Sequence, residues 1–408
     1  MALDAPQWPG ADYPAMALGL LLLTLFSALM LGIGMASVRR SRSYDDFVVA
    51  GRSQGTFPVT FSILATCVGA SATVGLMDQA AAGGFPYFWF LGAAGVGLAV
   101  QALTVAGPIR DSDVRTFGEL VRRQFGPGVQ RAVSILIALG WIAIVAAQFK
   151  AAGSLVDSLL GNRLGAGVGV VLAALLIVGY TLPGGQQAVI RTDVVQFAMV
   201  GVGLLGVLLF LVVQAPGAWG AVEWRPVNAT FTLFDLVHHL LIVGGIYVIS
   251  PNLVSRVLTA RDARVARRAV WLSAPLLAAT GAVVAFIGVY ATASGAVPSG
   301  APVFSTLSAQ AGLPGSLLLH LSILAAVISS ADTTLLVTAS IVQQDLVGRP
   351  SVAGVRVWVA ALAAAAVALV LGAPGATLYT LLFTAYNAFA PAVAPLVFAG
   401  FYARGRMN

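Results

Sequence analysis

Fully apolar stretches recur from one end of this chain to the other, and each is long enough to cross a hydrocarbon core of about 30 Å. No other feature limits the fold so strongly. In lipid every backbone N–H and C=O must find a partner within the protein, which leaves helices or a closed barrel. The short alternating strands of a barrel are not seen. Composition agrees: 59% of the 408 residues are hydrophobic and 9% are charged, against about 25% charged in a soluble domain. The expected fold class is an all-α polytopic membrane protein.

Eleven spans are expected, at 14–37, 57–82, 85–109, 129–157, 164–182, 188–214, 233–258, 266–293, 316–346, 353–373 and 376–402. Asp4 and Asp12 precede the first, with no Lys or Arg. That is unlike a secretory signal, so the N-terminus is expected outside. Alternating from there, 19 of the 22 basic residues, Arg256 among them, fall in segments assigned to the inside. The bias accounts for the net charge of +7 without nucleic acid as a partner. It also places the C-terminus in the cytoplasm and the chain in the cell (inner) membrane, with the lipid bilayer as its surroundings.

Two spans contain helix-breaking sequence. One reads Leu64-Ala65-Thr66-Cys67-Val68-Gly69-Ala70-Ser71, and the other holds Gly244-Gly245 and then Pro251. With span 14–37 set aside as an extra N-terminal helix, these are the first and sixth of ten helices. That is the layout of a five-plus-five inverted repeat, 57–214 and 233–402, within one membrane domain. The competing reading is that the glycines only let helices pack closely.

Polar groups inside hydrocarbon are costly and call for an explanation. Ser329, Asp332 and Thr333 stand at i, i+3 and i+4 and share a helix face. Their oxygens suit a hard cation. Back-bonding to the helix would explain the hydroxyls but not the acid. Asp193, taken alone, is expected to be a helix N-terminal charge favoured by the dipole or paired with Arg191. Lys150, the only lysine, is expected to snorkel or to pair with Asp157, with a counter-charge for an anionic substrate as the alternative. Cys67 is alone, so neither a disulfide nor a cysteine metal cluster can form within the chain. There is no P-loop and no HExxH, and the Gly201–Gly206 match to a dinucleotide fingerprint lies in a membrane helix. No nucleophile and base are paired, so no enzyme is expected.

Five segments, in order, resemble the sodium/solute symporter family, which includes the sodium/glucose and sodium/proline cotransporters. They are Ser43–Phe47 with Ala50-Gly51-Arg52; Thr116, Glu119, Arg123, Phe125 and Gly126; Gly184-Gly185 through Thr192-Asp193; Pro251 with Ser255-Arg256, Ala260-Arg261-Asp262 and Ala266-Arg267-Arg268; and Ser329-Ser330 with Asp345. The resemblance implies a LeuT-type ten-helix core preceded by one helix. It further implies a sodium symporter that imports a small organic solute by alternating access. By position its Na+ site comprises the carbonyls of Ala65, Val68 and Ala326 and the hydroxyls of Ser329 and Ser330. A second sodium, or an ion exit path, maps to Asp193, Ser329, Asp332 and Thr333; Asp332 stands where relatives often carry a hydroxyl. Thr66, Cys67, Ser71, Gln148 and Tyr247 are candidate linings of the solute site, and Tyr386 and Asn387 candidates for an outer gate. Sodium ion and a small-molecule solute are the expected partners of a monomer. A proton-coupled transporter titrating Asp332 or Asp193, and a transporter-like sensor, are the rival readings.

Overall fold

The computed structural model of the chain describes residues 13–373 together with Gly375, Phe389, Ala392 and Val393. The eleventh expected span, with Tyr386 and Asn387, lies outside the described residues apart from those few positions. In chain order the helices are α1 (Tyr13–Val38), α2 (Tyr44–Val49), α3 (Thr56–Cys67), α4 (Leu76–Gly83), α5 (Trp89–Thr104), α6 (Ala106–Asp111), α7 (Phe117–Leu159), α8 (Ala166–Gln214), α9 (Leu233–Ile249), α10 (Pro251–Thr259), α11 (Ala263–Ala293), α12 (Val303–Gln310), α13 (Gly312–Ile341) and α14 (Val352–Gly372).

Among the described residues eight helices are long and apolar enough to cross a membrane; α3 and the segment after it make a ninth, bent by 68°. Helix α8 has 49 residues, about 74 Å at 1.5 Å per residue, more than twice a bilayer core. Gly185 breaks it at φ 54°, ψ −142°. A Cβ there would stand 2.6 Å from the Phe47 carbonyl, so only glycine fits the turn. Val170 before the break packs on Gly153 near the end of α7, and Gly203 after it packs on Ser322 of α13. The two halves are the two spans expected at 164–182 and 188–214.

Depth within the bundle follows sequence character. In its most apolar stretch α1 is 17% buried and α13 is 72% buried. The first therefore spends its leucines on lipid, while the second is surrounded by protein and can afford hydroxyls. Two of the helix starts are capped from the sequence. Thr116 accepts from the Glu119 N–H at 3.1 Å, and Asp262 accepts from the Val265 N–H at 2.8 Å. That backbone donor holds the Asp262 carboxyl below the usual carboxylate range.

The second expected break falls elsewhere than the glycines suggested. Gly244 and Gly245 stay helical within α9, and the interruption is at Ser250-Pro251, where α10 begins. Proline lacks the N–H that would continue α9. Gly244 serves contact instead: a Cβ on Gly97 of α5 would meet its carbonyl oxygen at 2.2 Å. Here the close-packing reading of glycine holds.

Candidate functional site

Helix α3 ends at Cys67, and its last backbone bond runs from Val68 N–H to Leu64 O at 3.0 Å. Val68 itself has φ −101°, ψ 79°. Gly69 follows, then a π-helical turn, Ser71–Gly75, leads into α4. The break leaves carbonyls without the next turn's N–H groups. Ser329 and Ser330 of α13 stand against them. Ser329 Oγ lies 3.0 Å from both Ala65 O and Ala326 O. Ser330 Oγ lies 3.4 Å from Ala65 O and 3.1 Å from Thr66 O. Two hydroxyl protons are thus shared among three carbonyls, those of the buried Ala65 and Ala326 and that of the half-buried Thr66. Such a surplus of lone pairs favours a bound cation. Four of the five expected residues are joined by these contacts. Val68 stands at the break, fully buried, and its carbonyl takes part in none of these contacts.

One turn farther along both helices the chemistry changes from neutral to charged. Asp193 of α8 and Arg256 of α10 are each fully buried and form an ion pair, Nη2 to Oδ2, at 3.2 Å. Ser62 also donates to Asp193 Oδ2. Arg256 donates to the Thr333 hydroxyl and, through Nε, to Thr66 Oγ1 at 3.3 Å. Asp332 turns the other way: Tyr180 OH donates to its Oδ2 at 2.5 Å, and Thr333 to its Oδ1 at 3.3 Å. Asp193 Oδ1, Arg256 Nη1 and both amide atoms of Gln196 are buried with no hydrogen-bond partner, so the region retains unspent polar capacity.

Two expectations change here. Asp193 pairs with Arg256 rather than with Arg191, whose Nη1 reaches Ser37 Oγ at 3.4 Å instead. Arg256, counted from sequence with the inside basic residues, is fully buried against α3, α8 and α13. The signal that could have found it was the unmatched carboxylate at Asp193, since a charge in a membrane interior needs a partner.

Above the break lies a cavity with about 470 Å³ of space free of protein atoms, part of it open. Thr66, Cys67, Ser71, Gln148 and Tyr247, all singled out from the sequence, line it. Sequence reasoning missed Trp141, Asn252 and Thr334, which form a chain: Trp141 Nε1 donates to Asn252 Oδ1 and Asn252 Nδ2 to Thr334 Oγ1, each at 3.0 Å. Gln148 Oε1 accepts from the Ala70 N–H at 3.3 Å, so it props the broken helix from α7.

The remaining motif residues, and the turn after α7, are held by side-chain and backbone contacts. Asp345 accepts from Thr116 at 2.7 Å, Ser134 at 3.1 Å and Gln130 at 3.2 Å. Glu119 accepts from the Arg115 N–H and from Gln344. Arg52 pairs with Asp113 at 2.5 Å and donates to Val114 O at 3.0 Å. Asp157 accepts from the Leu164 N–H at 3.0 Å, closing the turn after α7.

Comparison with known proteins accords with this geometry. The family model described as the sodium:solute symporter family matches residues 47–408. The osmoregulated proline transporter OpuE of Bacillus subtilis is 27% identical over 95% of this chain and 84% of its own length. High-affinity choline transporter 1 of Caenorhabditis elegans is 28% identical over 46% of this chain, but the match spans only 34% of that protein. Among solved structures, a Na+-coupled sialic acid symporter in a substrate-bound outward-open state superposes with a TM-score of 0.74 at 17% identity, covering 94% of this chain and 86% of that one.

Proposed function

Since the chain belongs to the sodium:solute symporter family, we propose that it is a sodium-coupled symporter importing a small organic solute by alternating access. The observation that carries this reading is the broken α3 pressed against Ser329 and Ser330, where carbonyls outnumber donors. One Na+ would be held there by the carbonyls of Ala65, Val68 and Ala326 and the two hydroxyls. Uncharged oxygens replace its hydration shell yet let it leave, which a cycle requires. Ion binding across α3 and α13 would hold the outward-open arrangement, and the solute would then enter the cavity beside it.

The energetics suffice. A 100 mV potential supplies about 2.3 kcal/mol per charge, and a tenfold gradient about 1.4 kcal/mol. Together, at roughly 3.7 kcal/mol, they sustain about 500-fold accumulation of a neutral solute by one ion. The charged cluster supports a count of one. Arg256 already gives Asp193 a positive partner and reaches Thr333, so the guanidinium stands where a second sodium would. Asp193 then serves the path by which the ion leaves. The orientation proposed is N-terminus outside and C-terminus cytoplasmic, from the Arg distribution.

The test is Ser329→Ala with Ser330→Ala in proteoliposomes. The sodium concentration for half-maximal uptake should rise at least about tenfold, the equivalent of one lost ligand worth about 1.4 kcal/mol, while the unfolding temperature changes little. Unaltered sodium activation would refute the site. Uptake driven equally well by a proton gradient without sodium would favour a proton-coupled transporter instead.

A further inference from the structure

The cavity beside the break indicates the kind of solute. Thirteen residues line it among those described, and none is Asp, Glu, Lys, Arg or His. The stretch after Gly372, most of which lies outside the described residues, brings none either before Arg404. Arg256 reaches the lining residue Thr66 from below and is already paired with Asp193. Lys150 is two positions beyond Gln148 along α7, about 200° round the helix, and is not among the lining residues.

We propose, resting on the transport reading above, that this cavity binds a polar solute of no net charge. A cation would enter beside the proposed Na+ with no carboxylate on the walls to answer it, and an anion would find no basic side chain there and only the mobile Na+ as counter-charge. What the walls offer is neutral. Gln148 and Asn252 face the space with amides, each using one oxygen on a protein donor and keeping further donor and acceptor capacity. Phe90, Trp141 and Ile144 supply apolar surface. This combination fits a molecule with a flat or apolar side and adjacent donor and acceptor groups. An uncharged polyol and a zwitterion with its own internal ion pair share that property. An aromatic cage for a quaternary cation would need open ring faces, and the Trp141 ring packs on Phe389 with centroids 4.8 Å apart.

The experiment is a thermal-unfolding panel on the purified full chain with D-glucose, myo-inositol, L-proline, choline and pyruvate, each in sodium chloride and in potassium chloride. The expected result is sodium-dependent stabilisation by at least one of the first three, the polyols marking an uncharged solute and proline a zwitterion. Asn252→Leu should weaken the apparent affinity for that compound about three- to tenfold, one hydrogen bond's worth, and leave the response to sodium alone intact. Stabilisation by choline or pyruvate, or by none of the net-neutral compounds, would overturn the proposal. If sodium and potassium chloride act alike, the ion reading fails, while the panel still reports the solute's charge.

Discussion

Two levels of the same helix interface, one turn apart, solve opposite problems. At Ala65, Ser329 and Ser330 the oxygens are neutral and donors are short. At Ser62, Asp193, Arg256 and Thr333 full charges are present and answer one another inside the protein. A neutral shell binds a cation weakly enough to give it up. A buried pair is costly to assemble and costlier to halve, because removing one partner strands the other. The lesson is that mobility and permanence of charge here depend on whether the countercharge is covalently attached.

The largest expected effect of breaking this contrast is at Arg256. Arg256→Gln leaves Asp193 buried and unpaired, and about 3–5 kcal/mol of stability should go with it. The unfolding temperature in detergent measures this, and adding Asp193→Asn should recover part of the loss. If the single variant melts with the parent, the lower level is not held by charge. Next comes Gly97→Ala, whose Cβ would meet Gly244 O at 2.2 Å. A cost of about 1–3 kcal/mol is expected, with sodium half-saturation unchanged in whatever protein folds. A raised sodium requirement would instead tie that contact to the ion.

Gly69→Ala probes the upper level directly. Its Cβ would lie 2.8 Å from Ser330 Oγ and 2.9 Å from Gln148 Nε2, so both sodium and solute affinities should fall, by about tenfold if each contact loses about 1.4 kcal/mol. A change in only one of them, read by sodium and solute titrations of uptake, would show that the two sites are separable. Asp193→Asn strands the buried Arg256 in turn and should lose stability comparably to Arg256→Gln; in the protein that folds, sodium-dependent turnover should slow while half-saturation stays near the parental value. Parental turnover would reduce Asp193 to a structural charge. The smallest effect is expected at Thr66→Val, which loses a back-bond to the Ser62 carbonyl of its own helix at 2.7 Å and contacts of 3.3 and 3.4 Å and should cost about 1 kcal/mol.

Much of this was legible in advance, for identifiable reasons. Hydropathy located the spans because lipid forbids unpaired backbone. The stretch Leu64–Ser71 could be read as a break because small residues interrupt an otherwise apolar run. The pairing of Ser329 with Ala65 came from motif order rather than from any local rule. Other features were not legible. Gly244-Gly245 and Pro251 together read as breaking sequence, yet only Pro251 interrupts the helix, while Gly244 packs closely on Gly97 of α5. Arg256 lies among basic loop residues along the chain, and nothing local distinguishes it from Arg261, which is exposed.

The sequence by itself determined that this chain lives in a bilayer as a helical bundle and which stretches are apolar enough to span it, because those follow from backbone hydrogen bonding and the free energy of leaving water. Only the tertiary structure decided which polar groups meet. It brought Asp193 to Arg256 across 63 positions and Tyr180 to Asp332 across 152. Partners so far apart are selected by helix packing, and packing is a property of all the surfaces at once rather than of any one segment.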